Sequence, residues 1–379
     1  MEFDLTEGQK AVQELARSVA EKELRPVALQ HDETQKFPHE IVAKLADLGF
    51  MGITWPEELG GADLSDLEAV VIIEELARVD PSVALIVASH NSLCTGHIVL
   101  FGNEEQKKRF VPDLASGRSL GAWGLTEPGS GSDSGAMKTT ARREGADWIL
   151  EGSKTFITQG SVASTYVIMA MTEPSMKKKG ISAFVLERGT KGFSIGKKEN
   201  KLGMRCSDTA TLVFDKVLVP GANLLGGTGD GFRQALSVLD NGRIGIAALS
   251  VGIAQGALDA SLKYARERVQ FGRPIGDFQA IQWKLADMAT EIHAARILTH
   301  RAAWLKSRNQ SYALAACQAK YYASETAVRA TNEAVQIHGG YGYIKEYPVE
   351  KLYRDAKLMT IGEGTSEVQK LVIARQLLG

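Results

Sequence analysis

Apolar residues recur with a helical period over residues 1–120 of the chain. In QKAVQELARSVAEKEL they fall at i, i+3, i+4, i+7 and i+8, which are Val12, Leu15, Ala16, Val19 and Ala20. This spacing places them in one stripe on a helix, and Pro26 is expected to end or bend that helix. The same pattern recurs in FPHEIVAKLADLGF, SDLEAVVIIEELARV and NEEQKKRFVPDLASG. We therefore predict an N-terminal helical domain over residues 1–120.

The pattern changes to short runs of β-branched and aromatic residues over residues 121–225. The candidate strands lie between turn residues, and they are DWILEGSKTFIT, STYVIMAMT, ISAFVLERG and TATLVFDKVLVP. The helical segments that parallel crossovers need are missing between them. We predict a central β domain and not a series of βαβ units.

Long helical patterns return over residues 226–379. The segment DFQAIQWKLADMATEIHAARILTHRAAWLK carries one apolar stripe, formed by Ile281, Leu285, Met288, Ile292 and Ala295. A further helix is predicted to stop at Gly339 and Gly340. The order of helices, strands and helices predicts an α+β multidomain protein with a C-terminal helical domain.

Composition and charge exclude several classes of protein. The formal net charge is -1, whereas nucleic-acid binding needs concentrated positive charge, so we expect no nucleic-acid partner. The three cysteines and seven histidines show no metal-ligand spacing, which predicts free thiols and no metal site. No apolar run approaches the roughly 18 residues of a membrane span, and no signal segment is visible. We expect a cytoplasmic protein without membrane insertion.

Two glycine-containing stretches invite comparison with nucleotide-binding loops. The stretch GLTEPGSGSDSG, residues 124–135, has Ser134 where the dinucleotide fingerprint needs glycine, and it precedes strands. The stretch GSKT, residues 152–155, lacks the P-loop spacing. The first stretch is either a plain solvent loop or a nest of N–H groups and hydroxyls that binds an anion.

Four further positions each allow a structural and a functional interpretation. Arg268 either caps a helix end or contacts a ligand, and GGYGY at residues 339–343 is either a helix stop or part of a site. His338 is either a helix-end residue or a ligand. Arg243 is expected near a helix start, where the macrodipole disfavours a cation, and this position favours an anionic partner.

Glu363 lies in IGEGTSE, between two glycines and just before the last helical segment. On its own, a carboxylate there is either a first-turn residue that interacts with the helix dipole or a positioned acid or base. The sequence has no G-x-S-x-G motif and no convincing nucleophile. Glu363 is therefore the main candidate for chemistry.

Several stretches change these interpretations because they occur together and in order: WGLTEPGSGSD, KTFITQG, LDNGRIGIA, ARERVQFGRPIGDFQAIQ, AVQIHGGYGY, LYRDAK and EGTSEVQKLVIAR. Over its whole length the sequence resembles the acyl-CoA dehydrogenase family, and it looks closest to the short-chain, butyryl-type members. The resemblance implies an N-terminal helical domain, a central β-barrel or β-sandwich domain and a C-terminal four-helix bundle. It also implies one FAD per subunit and a homotetramer built as a dimer of dimers.

The resemblance further implies which residues bind FAD. Leu125 and Thr126 would lie near the flavin and Thr158 near its N5 edge, while Ser132 would hold the pyrophosphate or lie beside the substrate. Phe156, which would cover the flavin, stands where many relatives have tryptophan. The set from one subunit would be Trp123, Leu125, Thr126, Gly131, Ser132, Phe156, Ile157, Thr158, Thr365, Ser366 and Glu367. A neighbouring subunit would contribute Arg268, Phe271, Gln279, Gln336, Ile337, His338, Gly339 and Gly340.

Glu363 falls on the family's catalytic base, and the implied substrate is an acyl-CoA. Glu363 would remove the α-proton while hydride leaves the β-carbon for flavin N5, giving a trans-2-enoyl-CoA, and the electrons would pass to electron-transfer flavoprotein. The N–H of the base and a ribityl hydroxyl would bind the thioester oxygen. A free glutamate with a pKa of ~4.3 is a weak base, which the acyl chain would strengthen by expelling water. The implied substrate contacts are Ser132, Asp240, Asn241, Gly242, Arg243 and Gly364.

Two positions bear on the choice of base and substrate. Some relatives carry the base at the position of Gly242, which has no carboxylate here. Gly362 stands where many straight-chain relatives have tyrosine and isovaleryl-type members have glycine. We therefore expect short- to medium-chain substrates, with tolerance of branched chains, and a role in fatty acid β-oxidation or branched-chain amino acid catabolism. Leu93 is either part of the acyl pocket or a core residue.

Two other functions remain open at this point. One is an acyl-CoA oxidase that uses oxygen. The other is a non-catalytic flavin-binding scaffold. The presence of Glu363, Arg243 and the cofactor motifs argues against a scaffold.

Overall fold

A computed structural model of the protein describes residues 4–379, and its first part is helical. Three of the described helices begin at capping boxes. The side chains of Thr6, Ser65 and Asn103 each accept a bond from the backbone N–H three residues on, and their own N–H groups donate to the side chain of that residue. A π-helical turn, Ala20–Leu24, follows the first helix and precedes Pro26. The helices are α1 Glu7–Val19, α2 Ala28–Thr34, α3 His39–Asp47, α4 Asp66–Ala77, α5 Pro81–Ser89, α6 Gly96–Phe101 and α7 Glu104–Ala115.

A β-sheet follows the helices. Its strands are β1 Gly121–Gly124, β2 Thr140–Glu144, β3 Asp147–Thr158, β4 Thr165–Met171, β5 Ile181–Glu187, β6 Phe193–Lys198, β7 Thr209–Val219 and β8 Leu224–Leu225. They form one eight-stranded sheet in the order β6-β7-β3-β2-β4-β5-β8, with β1 beside β4. Strands β1 and β2 pair with β4 in parallel, and the other neighbours are antiparallel. The prediction of a β domain without βαβ units is confirmed.

The last part of the chain is a helical bundle. Its helices are α8 Gly231–Glu267, α9 Gln279–Ser307, α10 Ala313–His338, α11 Pro348–Met359 and α12 Ser366–Leu378, with the short strands β9 Val269–Gln270 and β10 Arg273–Pro274 between α8 and α9. Helix α8 packs against α4, α9 and α10, and α11 and α12 pack on α10. One buried apolar cluster therefore runs from the N-terminal helices into the bundle.

The start of α8 corrects one expectation. The helix begins at Gly231, the last residue of the GGTGDG segment, so Arg243 lies about three turns inside it. The prediction that Arg243 is near a helix start is wrong. Its partners are side chains of the interior and not a helix dipole.

A second apolar cluster lies where the sheet meets the helices. Trp123 and Leu125, at the end of β1, pack there with Val238 of α8. Leu93 and Leu239 lie partly buried against the same cluster. Leu93 thus contributes to packing beside the segment that was predicted to bind the flavin.

Two stretches are long and apolar enough to cross a membrane, Pro81–Phe101 and Gly231–Glu267. The sequence expectation that no run approaches this length is therefore wrong for these helices. In each, 78% of the most apolar window is buried inside the protein, which is typical of core helices. Absence of membrane insertion stays a prediction.

Candidate active site

Glu363 lies in a tight turn between α11 and α12. Its backbone φ is 52° and that of Gly364 is 93°, a left-handed conformation that is uncommon for residues other than glycine. Helix α12 begins only at Ser366, and its N-cap is Thr365, whose side chain accepts a bond from the N–H of Val368 at 3.3 Å. Glu363 therefore precedes the helix, and the interpretation of this residue as a first-turn helix residue is wrong.

The Glu363 carboxylate lies directly against Gly242 of α8. A Cβ atom added to Gly242 would lie 2.8 Å from Glu363 Cδ and closer still to Oε2. Any residue other than glycine at position 242 would displace the Glu363 carboxylate. Oxygen Oε2 is buried and has no hydrogen-bond partner among the described residues. The fold thus brings together two predicted site residues that are far apart in the sequence.

Burial and two cations set the protonation of this carboxylate. Burial raises the pKa of Glu363 to about 7, and the charges of Lys320 and Arg243 oppose that shift. Arg243 is itself buried and forms an ion pair with Asp240. Its Nη1 also lies 3.4 Å from Cys317 Sγ. A carboxyl group with a pKa near neutrality is suited to accept a proton at neutral pH.

The predicted flavin-binding residues of the β domain form a second group. The carbonyl of Thr126 accepts a bond from the N–H of Thr155 at 2.9 Å, which joins the end of β1 to β3. The indole N–H of Trp123 donates to His97 Nδ1 at 3.0 Å. Ile157 is buried in the main core, and its carbonyl accepts a bond from the N–H of Gly160 at 3.0 Å.

This second group fits a large planar cofactor. Phe156 has a φ of 56° at a β-bulge and is 65% exposed, so its ring stands free on the surface. Side chains added to Gly129 or Gly131 would meet no atom within 4 Å, and Gly131 and Ser132 are exposed. An exposed ring beside an open loop of N–H groups suits a flavin and its pyrophosphate.

Helix α8 connects the base to this group. Val238 packs in the same cluster as Trp123 and Leu125, and Gly242 follows one helical turn later. Four residues advance a helix by about 6 Å. The carboxylate of Glu363 therefore lies against α8 about one turn from Val238, a member of the cluster that contains Trp123 and Leu125.

The residues predicted to come from a neighbouring subunit lie elsewhere. One cavity is lined by Arg268 and the run Ile337–Gly340, together with Tyr264 and Tyr341. His338 ends α10 and stacks on Tyr264 with ring centroids 4.3 Å apart. Phe271 is 94% exposed, and Gln279 and Gln336 are exposed. No β-domain residue of the predicted flavin set lines this cavity.

Three residues near α12 differ in what they can contact. Ser366 is buried, and its hydroxyl donates to Glu325 at 2.5 Å, whereas Glu367 is exposed. Thr365 already caps the helix. Among these, Glu367 has the side chain that is most free to reach a ligand.

The sequence interpretation missed several residues around the site. Lys320 and Gln369 bond the turn that carries Glu363. His97 links Trp123 to Gln234 of α8. No local motif marks them, since each lies in an ordinary helical pattern and the hydrogen bonds of Lys320 and His97 form only when distant segments pack together.

One group of potential metal ligands exists outside this site. Atoms of His31, Asp80 and Cys206 that are able to bind a metal lie within 4.8 Å of one another. The ammonium of Lys351 already donates to Asp80 at 3.0 Å and to Asp355 at 2.8 Å. A further cation would be repelled by this charge. The absence of a metal site stays a prediction.

Comparison with known proteins identifies the family. Family models match residues 6–118, 122–217 and 229–378, and they describe the N-terminal, middle and C-terminal domains of acyl-CoA dehydrogenases. The chain is 48% identical over 377 residues to the "Acyl-CoA dehydrogenase, short-chain specific" of Clostridium acetobutylicum, covering 100% of both.

Solved structures agree with these matches. Butyryl-CoA dehydrogenase from Megasphaera elsdenii shares 44% identity and a TM-score of 0.98, covering 100% of both chains. A chain in a structure described as the electron transferring flavoprotein of Acidaminococcus fermentans shares 47% identity and a TM-score of 0.98, again over 100% of both. The protein belongs to the acyl-CoA dehydrogenase family, whose members are enzymes that use FAD.

Proposed function

We propose that this protein removes two hydrogens from the α and β carbons of a short- to medium-chain acyl-CoA, giving the trans-2-enoyl-CoA, and that Glu363 is its base. The observation that carries the proposal is the buried Oε2 atom of Glu363, which lies against Gly242 and has no hydrogen-bond partner within residues 4–379. A buried polar atom without a hydrogen bond is costly, and a base that must accept a substrate proton needs such a free oxygen. The domain boundaries at residues 120 and 225 belong to the same proposal.

Glu363 would act on the α-proton of the thioester. The proton moves to the carboxylate, and the electron pair left on the α-carbon delocalises toward the thioester oxygen. Within residues 4–379 the N–H of Glu363 donates to no other group, so it is free to bind that oxygen. A donor fixed beside the developing negative charge stabilises it without reorganisation.

The proposed cofactor set fits this chemistry. When bound, FAD would accept the hydride that leaves the β-carbon of the substrate. The residues that would hold FAD in this subunit are Trp123, Leu125, Thr126, Gly131, Ser132, Phe156, Ile157 and Thr158 of the β domain and Thr365, Ser366 and Glu367 near α12. A second subunit would hold the FAD with Arg268, Phe271, Gln279, Gln336, Ile337, His338, Gly339 and Gly340. The substrate would contact Ser132, Asp240, Asn241, Gly242, Arg243 and Gly364.

The pKa of Glu363 makes a prediction about pH. Only the ionised carboxylate can accept the α-proton, and the pKa of Glu363 is raised to about 7. Activity should therefore rise with pH through this value. We expect kcat/KM at pH 6 to be about tenfold below its high-pH plateau, since kcat/KM reports the pKa of the free enzyme. A profile that stays flat down to about pH 5 would show that the base titrates as an ordinary glutamate.

Gly362 makes a prediction about substrate shape. A Cβ added there would meet Leu358 only at 3.6–3.9 Å, which is ordinary contact, so a side chain fits. We expect Gly362→Tyr to lower kcat/KM for isovaleryl-CoA by more than about tenfold and to affect butyryl-CoA much less, because one branching methyl excluded from a pocket costs 10–200-fold. Gly362→Ala is the matched control, and it should keep both activities. Native enzyme that strongly prefers butyryl-CoA to both isobutyryl-CoA and isovaleryl-CoA would contradict tolerance of branched chains.

Assembly and partners are part of the proposal. Large exposed apolar side chains support burial by further copies of the chain, since Phe271 is 94% exposed and Tyr343 87% exposed. We propose a homotetramer, a dimer of dimers, which light scattering would test. The similarity to a chain in the structure described as an electron transferring flavoprotein supports electron-transfer flavoprotein as the acceptor. A cytoplasmic location and a role in fatty acid or branched-chain amino acid breakdown remain predictions.

The oxidase alternative uses the same base and differs only in the acceptor. Rapid peroxide formation from butyryl-CoA in air, without any added acceptor, would favour it. Turnover that requires electron-transfer flavoprotein or an artificial acceptor would favour the dehydrogenase.

A further inference from the structure

A buried lysine lies beneath the turn that carries Glu363. Lys320 of α10 is 0% exposed, and its Nζ donates to the carbonyl of Gly364 at 2.7 Å. Lysine is almost never fully buried unless its charge is paired. Among the described residues this carbonyl is the hydrogen-bond acceptor of the ammonium, and a carbonyl does not neutralise a charge. The balancing negative charge must come from a neighbouring carboxylate.

Glu363 is that carboxylate. Burial lowers the pKa of Lys320 to about 8, and among the groups that raise it Glu363 has the largest effect. Conversely, Lys320 has the larger effect of the two cations that lower the pKa of Glu363. The opposite charges of the two side chains therefore attract one another through space.

The turn itself needs anchors. Glu363 has a φ of 52°, which a residue with a side chain adopts only when its surroundings hold it there. Gln369 Nε2 donates to the carbonyls of Glu363 and Gly364 at 3.1 and 3.0 Å. Lys320 supplies a third bond to the same segment. Lys320 and Gln369 thus share the anchoring, and only Lys320 adds charge.

The other ionisable groups around Glu363 do not replace Lys320. From α8, Arg243 faces it but is already paired with Asp240. From α10, Cys317 lies beside Arg243, and its thiol is neutral because burial raises its pKa. Also on α10, Glu325 accepts a bond from Ser366 and adds negative charge near the turn. Lys320 is therefore the cation that is left to balance Glu363.

We infer that Lys320 is a positioning residue for Glu363, anchoring its turn through Gly364 and favouring the ionised form of its carboxylate. The inference rests on the proposed role of Glu363 as the base. It assigns no contact with substrate or cofactor to Lys320.

The test reads the ionisation of Glu363 itself. Infrared difference spectra, taken as native protein minus Glu363→Gln over a pH series without thioester, isolate the carboxyl band of Glu363. The same subtraction is made in a Lys320→Met background. We expect the midpoint of ionisation to rise by at least about one pH unit in Lys320→Met, since a nearby opposite charge lowers a carboxyl pKa by about 1–3 units. Lys320→Arg, which keeps the charge, should return the midpoint toward its native value.

Two further variants separate charge from anchoring. Lys320→Gln keeps a donor for the Gly364 carbonyl, and it should fold and show the shifted midpoint even if Lys320→Met does not fold. Gln369→Leu removes two bonds to the turn without changing charge, so it should slow flavin bleaching and leave the midpoint in place. An unshifted midpoint in both Lys320→Gln and Lys320→Met would overturn the inference. Full activity in Glu363→Gln would instead overturn the proposed function. The infrared spectra do not depend on that function, so the two outcomes can be told apart.

Discussion

Replacing Glu363 by glutamine is expected to slow bleaching of the flavin by butyryl-CoA by about 10²- to 10⁴-fold, the usual contribution of a positioned general base. Glutamine keeps the size of the side chain and loses the site that accepts the α-proton. The buried Oε2 of Glu363 has no other partner, so no hydrogen bond of the fold is lost. Anaerobic rapid mixing with butyryl-CoA measures the rate directly.

The matched control is Glu346→Gln, an exposed residue of the same C-terminal part of the chain. It should bleach at the native rate. Bleaching of Glu363→Gln within about tenfold of the native rate would show that another group takes the proton, since a lost general base normally costs more than this.

Gly242→Ala is expected to lower kcat by about 10²-fold, although it adds only one methyl group. The new Cβ would lie 2.8 Å from Glu363 Cδ, so the carboxylate must move, and a displacement of about 1 Å can cost this much. Stability should not fall, because alanine favours a helix interior over glycine by about 1 kcal/mol. Steady-state kinetics together with thermal unfolding would show lost activity in a protein that is at least as stable.

Gly245→Ala is the control for that experiment. It lies in the same helix, and its Cβ would approach Ala88 Cβ no closer than 3.6 Å. Equal kcat values for Gly242→Ala and Gly245→Ala would show that the contact between α8 and Glu363 does not affect catalysis. The geometry also predicts a partial rescue, in which Gly242→Glu combined with Glu363→Gly is more active than Glu363→Gly alone.

The order of domains could be predicted from the sequence because local patterns determine it. Helical stripes, β-branched runs and glycines each act over a few residues, and the resemblance added the motif order. The return of helical structure near GGTGDG could be predicted, but the placement of Arg243 near a helix start was wrong. Helix α8 begins at Gly231, the last residue of GGTGDG, which approaches the backbone of Ser182 too closely for any side chain.

The candidate site could be predicted in its parts but not in its contacts. Glu363 was identified by its glycine neighbours and its motif. Its contact with Gly242 and its anchoring by Lys320 depend on how α8 and α10 pack beneath the turn. A lysine in an Ala-rich helix gives no sign of burial, because helical patterns usually place lysine in solvent.

The most direct test of the account is an anaerobic titration of the FAD-loaded native protein with butyryl-CoA. We predict that the flavin band bleaches with one equivalent of thioester per flavin and that the trans-2-enoyl-CoA is recovered in equal amount. A flavin that stays oxidised with butyryl-CoA and with branched and longer acyl-CoAs would contradict the proposed dehydrogenation.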